Sequence, residues 1–129
     1  MKANELMLGD WVFHIRNRIV SGFEAGGPVR VLEIYEHGAQ TTDGFVRYED
    51  LEPIHLTPEI LEKNGWKTTD RYRYNRGNVW FDIINRGAED FDIEVSAYDG
   101  GFAYVATIYN VHELQHALRL FGIKKEVEL

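Results

Sequence analysis

The sequence predicts an α+β protein: a small SH3-like β-sheet or barrel, followed by a unit in which two helices bracket antiparallel strands. Three observations lead there. Hydrophobic residues make up 44% of the 129 residues and aromatic residues 13%, enough to build a packed core. Twelve glycines and three prolines punctuate the chain into short segments. Two segments, 58–64 and 111–121, carry complete helix-start and helix-stop signals, while the rest reads as strands and turns.

The first third supplies the strands of the predicted sheet. Trp11-Val12-Phe13 follows the turn signal Gly9-Asp10, and Gly26-Gly27-Pro28 reads as a break. Val29 to Tyr35 alternates, with Val29 and Val31 on one face and Leu32 and Ile34 on the other, so burial on both sides is expected. His37-Gly38 ends that strand. Asp43-Gly44 is a hairpin dipeptide ahead of Phe45 to Tyr48, and Leu51 to Leu56 reads as a last strand. Four or five short strands in about 55 residues suggest a curled sheet. The expected division is a module at 1–56 and a second, α-β-β-β-β-α, at 57–129.

At that junction Leu56-Thr57-Pro58-Glu59 opens a helix. The Thr57 hydroxyl can accept an unpaired backbone N–H, and Pro58 fits the first helical position, where a missing N–H costs nothing. Glu59 suits the positive end of the helix dipole, and Gly65 supplies the left-handed stop, with Trp66 folding back towards Leu61. Strands are expected at 71–75, 79–85, 91–96 and 102–109, with turns at Arg76-Gly77-Asn78, 86–90 and Asp99-Gly100-Gly101. Phe91, Ile93 and Val95 alternate with Asp92, Glu94 and Ser96, giving one buried and one wet face. Asn110 and Glu113 form a capping box for the last helix, which Gly122 ends with Ile123 placed to touch Leu118.

Function classes narrow by exclusion. The absence of Cys removes disulfides, thiolate catalysis and cysteine zinc sites. No apolar run approaches the length of a membrane span or a signal-peptide core, so cytoplasmic location is expected. The net charge is −7. Residues 1–56 carry 5 bases and 9 acids and residues 57–129 carry 9 and 12, so neither half is basic. That balance favours a protein partner over nucleic acid. No dinucleotide, phosphate-loop or nucleophile-elbow motif is present.

Two constellations carry alternative chemistry. His112-Glu113-Leu114-Gln115-His116 matches HExxH, in which two histidines one helical turn apart share a zinc ion and the Glu activates water. As a minimal zinc metallopeptidase the chain would use His112 and His116 as ligands and Glu113 as base. Catalytic zinc takes a third protein ligand, and only Glu126 and Glu128 remain beyond the helix as candidates. Glu113 already has a capping role. The apolar stripe Val111, Leu114, Ala117, Leu118, Phe121 turns both histidines outward beside Arg119, so a solvated polar face is expected. The second constellation interleaves Arg71, Arg73 and Arg76 with Tyr72 and Tyr74, a pattern able to stack and clamp single-stranded nucleic acid. Ion pairing of those arginines with Asp92 and Glu94 across strands is the simpler expectation. The carboxylates at Glu49-Asp50 with Glu52, and at Glu89-Asp90 with Asp92, read as solvated loop charges. Trp11 and Trp66 read as core anchors. The weight of these observations falls on a non-enzymatic interaction or accessory module without zinc, of unknown specificity and oligomeric state.

The N-terminal LMLGDWV, the junction EPIHLTPEILEKNGW and the C-terminal VHELQHALRLFGI resemble a group of small uncharacterised proteins from Bacteroidetes bacteria and their phages and mobile elements. The matching segments span about a third of the chain. This chain departs from the group at His55, where proline is frequent, and at Glu113 and His116. The resemblance implies one fold throughout the group and a cytoplasmic setting. It implies no activity, and the departures in the last helix speak against a metal role shared by the group.

Overall fold

Strand β1 (Trp11–His14) starts a five-stranded antiparallel sheet that continues through β2 (Gly27–Ile34), β3 (Gly38–Thr41), β4 (Gly44–Arg47) and β5 (Leu51–Glu52). The computed structural model describes residues 1–129 except 16–25, 69–72, 76–80, 88–89, 97–100 and 124–125. The strand order is β4-β3-β2-β1-β5, so β5 returns to the free side of β1, and the sheet curls into a half-barrel. A 3-10 turn, Tyr48–Asp50, links β4 to β5. The register shifts between Val31 and Glu33 where β2 meets β3, an irregularity that bends a strand and increases its twist.

Alternation decides what the sheet buries. Leu6, Val12, Val29, Val31, Ala39, Val46, Tyr48 and Leu51 form one core. Each fully buried aliphatic side chain there contributes about 1.5–3 kcal/mol. The N-terminal ammonium donates to the carbonyls of Tyr48 (2.9 Å) and Leu51 (3.3 Å).

The chain divides into two compact units. The first holds Met1–Ile54 together with Asn110–Ile123, and therefore the C-terminal helix α2 (Val111–Leu120). The second holds His55–Tyr109 and the chain end. In this division α2 goes with the first unit and not with residues 55–109. The reason is a set of polar links to the start of the chain. The Trp11 N–H donates to Gln115 Oε1 (2.8 Å), Gln115 Nε2 donates to the Gly9 carbonyl (3.0 Å), and the Val111 N–H donates to the Ile54 carbonyl (2.8 Å).

The second unit opens with α1 (Pro58–Lys63), capped by Thr57, whose hydroxyl accepts from the Ile60 N–H at 3.2 Å. Gly65, at φ 85°, ends it, and the Trp66 N–H closes on the Leu61 carbonyl at 3.0 Å. A meander follows: β6 (Lys67–Thr68), β7 (Arg73–Asn75), β8 (Phe81–Asn85), β9 (Phe91–Ser96) and β10 (Phe102–Ile108), paired in that order. Its buried side chains include Leu61, Trp66, Tyr74, Ile83, Phe91, Ile93 and Ile108. Asn64 fastens the chain end, donating to the Glu128 carbonyl (2.6 Å) and accepting from the Glu128 N–H (2.7 Å).

Four sequence expectations are corrected. Gly27 and Pro28 begin β2 instead of breaking the chain, with Pro28 opposite Phe13 near the start of the strand. β3, Gly-Ala-Gln-Thr, was not expected as a strand, because it has no apolar alternation; its pairing with β2 and β4 fixes it. The strand expected over Leu51–Leu56 shrinks to Leu51–Glu52. Leu32 is half exposed, so β2 is not buried on both faces. The turns expected at Arg76-Gly77-Asn78 and Asp99-Gly100 lie outside the described residues, as do Glu89 and part of the 86–90 loop.

Candidate functional site

The last helix corrects the expected solvated face most directly. The capping box is present: Glu113 Oε1 accepts from the Asn110 backbone N–H at 3.1 Å and from its side-chain amide at 2.9 Å. Gly122, at φ 71°, ends the helix, and the Ile123 N–H reaches the Leu118 carbonyl at 2.8 Å. His112, however, is only 6% exposed, and its Nδ1 is buried without a hydrogen-bond partner. The helix is enclosed on its apolar stripe and on much of its polar side, which a helical wheel alone does not reveal.

Asp10 organises that polar side. Its carboxylate is fully buried and takes three partners: His116 Nε2 at 2.6 Å, Arg119 Nη1 at 3.1 Å and the Met7 N–H at 2.8 Å. Gly9, at φ 85°, lets the guanidinium in, because a Cβ there would stand 3.0 Å from Arg119 Nη2. Burial lowers the His112 pKa below its ordinary 6.5; Asp10, Glu113 and Glu5 pull it upward, and His116 pushes it down.

The three HExxH residues have different surroundings on α2. The His112 and His116 rings lie edge to face, 5.6 Å apart. His116 is engaged by Asp10, and Glu113 faces its own helix cap. Among the described residues no group of three His, Asp or Glu side chains is arranged to hold a metal ion.

Of the arginine–tyrosine constellation, Arg73 and Tyr74 are described, the first in ion pairs and the second in packing. Arg71, Tyr72 and Arg76 lie outside the described residues. Arg73 donates to Asp82 (2.8 Å), sits 3.6 Å from Glu94 and covers the Phe102 ring at 4.5 Å. Asp82, itself buried, also accepts from Asn75 at 2.6 Å. Asp92 pairs with Arg86 at 3.3 Å and not with Arg73. Tyr74 is 6% exposed, which removes its ring from stacking with a base. Trp66 is buried as expected, while Trp11 is partly covered, with the Arg30 guanidinium 5.2 Å from its ring. His14 meets Asp43 at 3.0 Å.

The sequence reading missed an open hollow of about 670 Å³ on the first unit, lined by Glu36, His37, Phe45, Arg47, Tyr48 and Glu49. Phe45 is 54% exposed, and Tyr35 beside it is 47% exposed. Their ring centroids are 6.2 Å apart and tilted by 52°. Both flanks are anchored: the Tyr48 hydroxyl donates to the Tyr35 carbonyl, and the Tyr35 hydroxyl donates to Glu33. That second bond raises the Tyr35 pKa above its ordinary 10.0. Gly38 makes room for the Phe45 ring, since a Cβ there would lie 2.7 Å from Phe45 Cζ and 2.5 Å from the Val46 carbonyl oxygen. The signal was present in β4: Val46 and Tyr48 alternate with Phe45 and Arg47, which puts an aromatic ring on the wet face.

A second set of exposed apolar side chains lies on β10, at Phe102, Tyr104 and Val105. No described helix is long and apolar enough to cross a membrane. Comparison with known protein families, with curated proteins and with solved structures found no match.

Proposed function

We propose that the protein is a non-enzymatic interaction module that binds a protein partner through the aromatic hollow of its first unit. The observation that carries this reading is the pair of half-exposed rings, Tyr35 and Phe45, beside a concave surface, with Tyr35 fixed at its carbonyl by Tyr48 and at its hydroxyl by Glu33. Large aromatic side chains anchor protein interfaces, and an exposed pair fixed in advance loses little conformational freedom on binding. The polar networks around Asp10 and Asp82 fit structural duty, because both carboxylates are engaged by groups of the same chain. The same reading treats the first sheet as SH3-like; the order β5-β1-β2-β3-β4 and the 3-10 turn before β5 support it. Membership of the Bacteroidetes and phage-associated group, and a cytoplasmic setting, belong to this reading and rest on the three sequence segments quoted above.

The test is a photo-crosslinker, benzoylphenylalanine, placed at position 45 of the full chain in cells that produce it. One discrete adduct is expected, absent when the probe replaces exposed Lys67. The captured protein, once purified, should bind the unlabelled chain and lose at least about tenfold in affinity to Tyr35→Ala. The same adducts from both positions, or none from position 45, would remove the reading.

A further inference from the structure

The hollow has a charge as well as a shape. Its lining carries two carboxylates, Glu36 and Glu49, beside one guanidinium, Arg47. The Glu36 and Glu49 side chains are largely exposed at the rim. Their visible partners are loose: His37 Nε2 lies 3.8 Å from Glu36, and Arg47 Nη1 lies 3.7 Å from Glu49 with both groups exposed. Exposed pairs at such distances contribute little, so both carboxylates are open to exchange for a better-placed cation.

Resting on the interaction-module reading, we propose that this hollow takes an arginine side chain from a basic segment of the partner protein. The guanidinium stacks on the exposed face of Phe45, with Tyr35 as the adjoining wall, and its N–H groups point at Glu36 and Glu49. Aromatic faces attract cations through their negative π-density, and the planar guanidinium adds stacking and a fork that matches carboxylates. A purely apolar occupant would satisfy the rings and leave two carboxylates partly desolvated without compensation. Arg47 then acts as an internal stand-in, neutralising Glu49 until the partner's arginine replaces it.

That role gives the proposal its sharpest test. The full-length protein is titrated, with backbone amide NMR as readout, using a capped heptapeptide that carries one central arginine between leucines. A second titration uses its citrulline analogue, which keeps the shape and loses the charge. Saturable shifts centred on Tyr35, Glu36, Phe45 and Glu49 are expected, with affinity about tenfold lower for citrulline and for Phe45→Ala. Glu49→Gln should weaken binding about threefold, and Arg47→Gln should tighten it by a similar factor at low salt. Phe45, Glu49 and Arg47 are all solvent-exposed, so amide spectra of the free variants verify that each is folded. Equal binding of the citrulline peptide, weaker binding by Arg47→Gln, or no shifts at the hollow would overturn the arginine assignment. A discrete crosslink at position 45 combined with any of these results would leave the interaction reading standing and remove only the cation; loss of that crosslink would remove both.

Discussion

The two helices start and stop by the same rules yet meet different surroundings. α1 has Thr57 as its cap, Pro58 in the first turn and Gly65 after its end; α2 has Asn110 with Glu113 and then Gly122. In α1 only Leu61 is buried among its six residues. In α2 Val111, His112, Leu114, Gln115 and Leu118 are all buried. Local chain chemistry fixes where a helix begins and ends, because caps act on backbone groups within one turn. How much of its circumference is covered depends on segments far away in sequence. Residues 7–11 enclose the polar side of α2, more than a hundred positions earlier in the chain.

The largest test of that contrast is Asp10→Ala. It leaves Arg119 and His116 without their shared carboxylate and the Met7 N–H without its acceptor. A loss of about 3 kcal/mol is expected in urea unfolding, below the upper range for a fully buried pair because both partners are partly exposed. A loss under about 1 kcal/mol would mean that the polar side of α2 contributes little. Next is His112→Leu, which replaces an unpaired buried nitrogen with carbon and should stabilise the protein by about 1 kcal/mol. Its second signature is the pH profile. The folded chain holds His112 neutral by burial, whereas the unfolded chain gains its proton as pH falls through 6.5. Wild-type stability should therefore decline below about pH 6.5 and level off once the folded state is protonated too. The variant should lose that part of the decline; an unchanged profile would place the titration elsewhere.

Smaller effects belong to the locally encoded features. Thr57→Ala should cost about 1 kcal/mol through the lost bond to the Ile60 N–H. Glu113→Ala should cost about 0.5 kcal/mol, since it removes only the return bond of the capping box. A zincin would respond differently: Glu113→Gln would abolish hydrolysis with its fold intact. For this chain Glu113→Gln should leave both fold and partner binding unchanged, read by thermal melting and by the peptide titration.

Much of the site was visible in the sequence, but with its roles exchanged. HExxH drew attention to His112 and His116, and the helix does present both; one is a buried orphan and the other a partner of Asp10. Asp10 itself read only as a turn residue beside Gly9, since nothing local marks a carboxylate that will be covered from above by a helix. The Arg/Tyr strand was correctly expected to pair its arginine with acids, yet Asp82, and not Asp92, is the close partner of Arg73. Register puts Arg73 opposite Ile84, on the face that carries Asp82, Glu94 and Asp92, and a slip of one residue would turn it away from all three. Phe45 alternates with buried Val46 along β4, which by itself points the ring outward.

By itself the sequence determined the mixed helix-and-strand class, the ends of both helices and most strand positions. Those features depend on backbone sterics, capping bonds and the two hydrophobic periods, all of which act within a few residues. The tertiary structure decided that α2 belongs with the first sheet, that His112 is enclosed, that Asp10 is a hub, and that the Tyr35 ring meets the Phe45 ring beside the hollow. Each of these requires closing a long loop, and only the packed chain sets which distant groups then share the enclosed space.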